Sequence, residues 1–194
     1  MRETRESVFE VCKGKTLIVS FFFFLYVVVY LVTKEFGMAN ALKTAQGIIY
    51  LPAGVRLLAT LVGRGWGAFG VGLGAWLIVS PDVFPNQTQD FYFAIAFINS
   101  MSVFVSVFMM QRVFNIEENL SNLKFIHLPF IDLAATTCQA FFYYCFLYSA
   151  NVVSEVDLIQ KFLSQITGNF LGGMIFMFAL ILIFKFNDMD KSVT

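Results

Sequence analysis

The sequence predicts an all-α, polytopic membrane protein with about six transmembrane helices, and both its composition and its pattern indicate this. Of the 194 residues, 58% are hydrophobic and 13% are charged, and 25 are phenylalanine. A soluble domain of this length has no core large enough to bury so much apolar surface. The apolar residues also gather in separate runs of roughly the length that crosses a membrane as a helix. We therefore expect residues 1–194 to form a single integral membrane domain.

Six apolar runs define the predicted helices. They cover residues 16–33, 47–63, 66–80, 91–112, 128–149 and 162–186. The second and third runs are short, and only Arg64 and Gly65 separate them. We expect these two runs to form either a short, glycine-rich helical hairpin or one broken, partly re-entrant unit. Residues 1–15 are then a cytoplasmic amino-terminal segment, and residues 187–194 a short cytoplasmic tail.

The basic residues predict that both termini lie on the cytoplasmic side of the cell's inner membrane, because cytoplasmic loops carry an excess of lysine and arginine. With the amino terminus inside, the outer side holds only Lys34, Lys43 and Lys161. The inner side then collects Arg2, Arg5, Lys13, Lys15, Arg64, Arg112, Lys124, Lys185 and Lys191.

Several classes of function are excluded by what the sequence lacks. The 13 basic and 13 acidic residues cancel, and no basic cluster is present to bind nucleic acid. Cys12, Cys138 and Cys145 form no CxxC pair, so we expect buried apolar cysteines, no metal site and no cofactor. No serine or cysteine in a run has a base and an orienting carboxylate that the sequence specifies. We therefore predict that the protein is not an enzyme.

Two charged residues lie well inside the predicted helices, away from their ends. A charge at the centre of a membrane helix costs about 2.5 to 3.5 kcal/mol on insertion scales, so each is a candidate for function. Arg56 lies near the middle of the second run, and Asp132 is the acidic residue well inside another run. We expect the two to pair if their helices are neighbours. The pair could serve packing alone, or it could take part in binding an anionic or polar ligand.

Three amide side chains fall at nearly the same depth as Arg56, counted at about 1.5 Å of helix per residue. They are Asn99, Gln139 and Asn169. Residues of this kind either join helices through hydrogen bonds or surround a polar cavity near the membrane midplane. Together with Arg56 and Asp132 they form the predicted ligand-binding set.

Glycines follow the arginine at helical spacing. Gly63, Gly67, Gly70 and Gly74 recur three or four residues apart, which produces one flat helix face where another helix can approach closely. Pro52 lacks an amide hydrogen, so we expect it to loosen the helix one turn before Arg56 and to leave backbone carbonyls facing a cavity.

The segment YLPAGVRLLATLVGRGWGAFGVGLGAW, residues 50–76, resembles the start of MASE1-type integral membrane sensor domains. The matching residues are Tyr50, Pro52, Ala53, Gly54, Gly63, Arg64, Trp66 and Gly74, with Gly168, Asn169 and Gly172 in the last run. The sequence departs from the family where Asn169 replaces an acidic residue and Arg56 an apolar one, and it has about six spans instead of about eight. The same segment also resembles the six-helix substrate-binding membrane subunits of energy-coupling-factor vitamin transporters.

The MASE1 resemblance implies a sensor that signals to a kinase or cyclase. Because this chain ends eight residues after Phe186, we expect its output to lie in a separate protein partner in the membrane or cytoplasm. Our prediction is a non-catalytic, sensor-like or ligand-binding membrane protein surrounded by lipid. The alternatives are a small-solute transporter or its binding subunit, and an accessory subunit of a larger membrane complex.

Overall fold

The computed structural model contains five helices and no strand among the residues that it describes, which are 2–35, 49–79, 84, 86–153 and 155–191. The helices are α1 (Arg2–Glu35), α2 (Pro52–Ile78), α3 (Gln89–Val113), α4 (His127–Ser149) and α5 (Glu155–Lys191). Each contains a stretch long and apolar enough to cross a membrane, which in α1 is Lys13–Glu35 and in α5 is Leu158–Ile183. The prediction of an all-α, multi-pass membrane protein is therefore confirmed.

Some predicted features fall outside the described residues. The side chain of Cys12 is one of them, and the predicted tail of residues 187–194 is described only as backbone and only as far as Lys191.

The helix count differs from the prediction of six, because the second and third predicted runs both lie in α2. Within α2 only Arg64 departs from helical geometry, with φ 51° and ψ −137°. Arg64 is one of the two residues that separate the predicted runs. A single non-helical residue is too short for a separate loop, so the two runs follow each other directly.

The two parts of α2 contact each other across this break. A Cβ atom added to Gly67 would overlap the backbone carbonyl of Ala59. Residues eight positions apart in an unbroken helix are separated by about 12 Å along the axis. The axis of α2 therefore changes direction sharply at Arg64.

Pro52 marks the beginning of α2 instead of interrupting a helix, which corrects the predicted run 47–63. Proline is well suited to the first helical turn, because its missing amide hydrogen would have no partner within the helix there. Tyr50, two residues before Pro52, is not helical, and its amide donates to the carbonyl of Gly168 in α5 over 3.0 Å. The start of α2 is thereby joined to the middle of α5.

The four glycines of the predicted packing face do approach neighbouring backbone and side chains closely. Gly70 packs directly on the backbone of Val19 in α1, and Gly74 packs beside Tyr26 of the same helix. Gly63 packs against Phe22 of α1, whereas the close neighbour of Gly67 is within α2 itself. Small residues of this kind allow helices to come close enough for dense van der Waals packing in lipid.

Apolar side chains form three buried clusters. One packs α1 on α2 and contains Phe22, Tyr26, Val55, Ala59, Val71, Ala75 and Ala96. The second includes Leu57, Leu61, Val103, Val107, Leu128, Ile131, Ala135 and Met177, with loop residues 116, 120 and 123 packed against it. The third cluster lies where the start of α3 meets the end of α4. It contains Phe91, Tyr92, Ile95, Tyr143 and Leu147.

The loop between α3 and α4 lies beside the break in α2. The guanidinium of Arg64 donates to the Glu118 carboxylate over 3.0 Å and to the Glu118 carbonyl over 3.2 Å. Lys15 of α1 also reaches this end, since its ammonium lies 5.1 Å from the centre of the Trp66 ring. The start of the apolar stretch of α1, the break in α2 and the α3–α4 loop therefore share one end of the helix bundle.

Candidate functional site

A line of hydrogen-bonded amides joins α5, α4 and α3 inside the bundle. The side-chain amide of Asn169 donates to Gln139 Oε1 over 2.7 Å, and Gln139 Nε2 donates in turn to Asn99 Oδ1 over 2.5 Å. Gln139 and Asn169 are buried. The structure thus brings together the three amides that the sequence places at one depth, and it joins their helices through direct hydrogen bonds.

Arg56 of α2 is buried near this line, with 5% of its surface exposed. Its guanidinium carbon lies 5.4 Å from the centre of the Tyr50 ring, which is within the range of a cation–π interaction. The Tyr50 hydroxyl is itself hydrogen-bonded to the Tyr26 hydroxyl of α1 over 3.0 Å. Arg56 Nε, however, has no hydrogen-bond partner in the described part of the chain. The buried guanidinium therefore keeps a free donor.

Asp132 of α4 is almost completely buried, at 1% exposure, but it does not form the predicted ion pair with Arg56. Arg64 of the same helix as Arg56 forms an ion pair with Glu118, whereas no ion pair joins Arg56 to Asp132. The Asp132 carboxylate packs on Gly173 of α5, where an added Cβ atom would overlap it. Because α4 directs this side chain toward α5, the expectation of a direct pair is wrong.

A cavity of about 100 Å³ lies beside Arg56, and all five helices contribute to its wall. Its polar lining consists of Tyr26, Tyr30, Tyr50, Arg56, Asn99, Gln139, Tyr143, Lys161, Ser164, Gln165 and Asn169. Apolar residues complete the wall, among them Ala75, Ile78, Phe84 and Ile95. Four of the five predicted ligand-binding residues therefore line one cavity, and Asp132 does not.

Arg56 brings a positive charge to the lining of the cavity. No aspartate or glutamate occurs among the lining residues whose side chains the structure describes. Asn99, Gln139 and Asn169 add amide hydrogens, of which the hydrogen bonds between them use only two. The site consequently presents positive charge and hydrogen-bond donors.

The tyrosines are the site residues that the sequence analysis missed. Tyr26, Tyr30, Tyr50 and Tyr143 line the cavity. Tyrosine in a membrane protein is most frequent at the two interfaces, where its hydroxyl meets water. Tyrosines well inside the predicted runs, such as Tyr26 and Tyr143, were a usable signal, because a buried hydroxyl needs a polar partner or a polar space.

Access to the cavity differs between the two ends of the bundle. Toward the end that carries Arg64 and Glu118, the apolar cluster around Leu57, Val107 and Met177 fills the space between the helices. At the other end the lining extends to Phe84, before α3, and to Lys161, near the start of α5. The cavity thus extends toward the end of the bundle opposite Arg64.

No group of three or more histidine, cysteine, aspartate or glutamate side chains that could hold a metal ion occurs in the described residues. Cys138 and Cys145 are free thiols on α4, half-buried and exposed respectively.

The helices and the cavity between them, lined by both polar and apolar side chains, define the chain as a multi-pass helical membrane protein with a candidate ligand site. Comparison with protein-family models, curated proteins and solved structures found no match.

Proposed function

We propose that this protein is a membrane-embedded binding module for a small polar ligand, and that a separate protein partner reads its occupied state. The observation that carries the proposal is Arg56, which is buried and faces a polar cavity with a free Nε donor. A buried charge in a membrane protein is expensive, so it is normally paired or placed at a functional site.

The position of the cavity supports a signalling output. Each of the five helices contributes to its wall, so a ligand that contacts several of them would favour one packing arrangement over another. Arg56 and the glycine-rich part of α2 belong to the same helix, which packs closely on α1. A change in helix packing at the cavity can therefore be transmitted through α2 to its contact with α1.

The proposal includes a helical hairpin within α2, with its turn at Arg64. Its support is the direction of the contacts with α3. Leu57 and Leu61 cluster with Val103 and Val107, so residues 52–63 pack against the half of α3 that ends near Arg64. Gly72 approaches Ser100, whereas Gly65, earlier in the chain, approaches Phe104. Residues 65–78 therefore run antiparallel to α3.

Each of the two arms is too short to cross the membrane alone. Residues 52–63 and 65–78 extend about 18 Å and about 21 Å as helices, and each is shorter than the roughly 30 Å of hydrocarbon. By length and composition alone, α2 as a whole qualifies as one membrane span. The contact between Gly67 and Ala59 argues against such a straight span, so we assign α2 to a hairpin that enters the bilayer from one side.

The orientation follows from the same arrangement. Arg64, Glu118 and Lys15 mark one end of the bundle, and Lys13, Arg112 and Lys124 lie in the adjoining segments. This end is proposed to be cytoplasmic, since basic residues are retained there. Both termini are then cytoplasmic and the cavity extends toward the outside of an inner membrane.

A small-solute transporter is the second candidate, because the cavity lies within a helix bundle as transporter sites do. The apolar cluster around Leu57 and Met177 lies between the cavity and the Arg64 end, so transport would require the helices to rearrange. Uptake of a bound solute into proteoliposomes separates the two functions, since a binding module produces no saturable accumulation.

The experiment that tests the binding function is a thermal-stability screen of the purified protein in detergent. The screen uses small carboxylates, amides, alcohols, amines and inorganic anions. A ligand present at 100 times its Kd stabilises the folded state by about 2.7 kcal/mol. For a chain of this size that is a rise in Tm of roughly 5 to 10 °C. At least one compound class is expected to produce it.

The matched variants are Ala75→Leu, which fills the cavity, and Ala94→Leu, which enlarges a half-buried residue of α3 outside the lining. Ala94→Leu is expected to keep the ligand-induced shift and Ala75→Leu to lose it. If Ala75→Leu does not fold, Ile78→Trp replaces it, because Ile78 also lines the cavity. A screen in which no compound raises Tm, or in which the filled variants respond like the parent, contradicts the proposed function.

A further inference from the structure

We propose that the ligand of the cavity is a compact anion, a carboxylate or similar oxyanion of a few heavy atoms, held by the guanidinium of Arg56. This inference rests on the proposed binding function and specifies its ligand. It depends on the charge, the free donors and the size of the site.

Arg56 carries its positive charge at the cavity wall without an ion-pair partner among the described residues. The described residues within 4.0 Å of its nitrogens include no carboxylate, because Asp132 packs on Gly173 and does not line the cavity. Arg56 interacts with the face of the Tyr50 ring, which offers no hydrogen-bond acceptor to Nε. An anion in the cavity would supply both the missing acceptor and a compensating charge.

The neighbouring groups favour an anion over a neutral or cationic ligand. The amides of Asn99, Gln139 and Asn169 have hydrogens beyond those that join them, and these can donate to an anion. An amine in the same position would instead lie beside the positive charge of Arg56. Arg56 is buried, so such like-charge repulsion is weakly screened.

The cavity volume limits the size of the ligand. About 100 Å³ of space corresponds to roughly three water molecules. That volume accommodates an anion such as acetate, propionate or phosphate between the helices. The ring faces of Tyr50 and Tyr143 and the side chain of Ile95 provide apolar contact for a short carbon chain.

The test compares propionate with propionamide, which have nearly the same shape and differ in charge. Affinity is measured by isothermal calorimetry and by the rise in Tm of the protein in a neutral detergent. Propionate is expected to bind and to raise Tm, and propionamide to bind at least about 10-fold more weakly.

Arg56→Gln is expected to weaken propionate binding by about 10- to 150-fold, the range for loss of a hydrogen bond to a charged group. Arg112→Gln is the matched control, because Arg112 is an exposed arginine at the end of α3 away from the cavity, and it should bind like the parent. A purely structural Arg56 would lower the Tm of Arg56→Gln without changing the ratio of propionate to propionamide affinity.

Three further results would overturn the inference. If propionamide or another neutral compound binds as tightly as propionate and Arg56→Gln keeps that binding, the protein binds small ligands but not as anions. If only phosphatidylglycerol in mixed micelles stabilises the protein, whereas propionate and phosphate do not, the ligand is a lipid and the size argument is wrong. If no compound raises Tm, the proposed binding function fails together with this inference.

Discussion

Replacing Gly70 by alanine tests whether the close approach of α1 and α2 depends on a missing side chain. A Cβ atom at residue 70 would overlap the Val19 carbonyl oxygen and lie 3.1 Å from both the carbonyl carbon and Cα of Val19. These are backbone atoms, so no side-chain rotation relieves the overlap and α1 must move away. Overpacking of this kind costs about 1 to 3 kcal/mol.

Gly65→Ala, in the same helix, is the control against which the loss of stability of Gly70→Ala is measured. At Gly65 an added Cβ atom would meet only the Phe104 ring, at 3.8 and 3.9 Å, which is ordinary contact. Alanine is about 1 kcal/mol more favourable than glycine inside a helix, so Gly65→Ala should be neutral or stabilising. The same gain applies to Gly70→Ala and reduces its net cost, so we expect the two variants to differ by about 1 to 3 kcal/mol.

The assay is thermal unfolding in detergent, followed by the fluorescence of Trp66 and Trp76, both in α2. The expected difference in Tm is about 2 to 10 °C for a chain of this size, with Gly70→Ala the less stable variant. Equal Tm values for the two variants would refute the conclusion that α1 packs directly on the backbone of α2 at residue 70.

Two further predictions concern the break in α2 and the line of amides. Arg64→Gly is expected to be more stable than Arg64→Ala, because glycine adopts a φ of 51° without strain and both variants lose the same exposed ion pair with Glu118, which contributes at most about 1 kcal/mol. Chemical denaturation of the two variants measures the difference, and a more stable alanine variant would contradict the strained geometry at Arg64. Gln139→Leu is expected to lower stability by about 1 to 3 kcal/mol, because it removes the partner of both Asn99 and Asn169. Asn99→Leu, which removes one of the two bonds, should cost less by the same measurement, and the reverse order would argue against Gln139 as the central member.

Much of the helical architecture was predictable from the sequence, because it depends on local composition. Four of the predicted runs, 16–33, 91–112, 128–149 and 162–186, fall within α1, α3, α4 and α5, since long apolar runs mark their own helices. The second and third runs did not separate into two assigned helices. Their boundary depends on the backbone angles of the single residue Arg64, which composition does not specify.

The candidate site was only partly predictable, for a related reason. Asn99, Gln139 and Asn169 meet because the regular rise of a helix relates position in sequence to depth. Depth alone does not determine the rotation of a helix about its axis. The prediction therefore paired Arg56 with Asp132, whereas α4 turns Asp132 toward Gly173 and Arg56 lies over Tyr50.

Apolar run length and helical rise are properties of a single segment, so they were enough to predict a helical membrane protein with three amide side chains at one depth. Packing between the helices makes particular helices neighbours, turns α2 at Arg64, and brings Tyr26, Tyr50 and Tyr143 together with Arg56 around one cavity. Those features depend on contacts between residues far apart in the chain, such as the hydrogen bond from Tyr50 to Gly168.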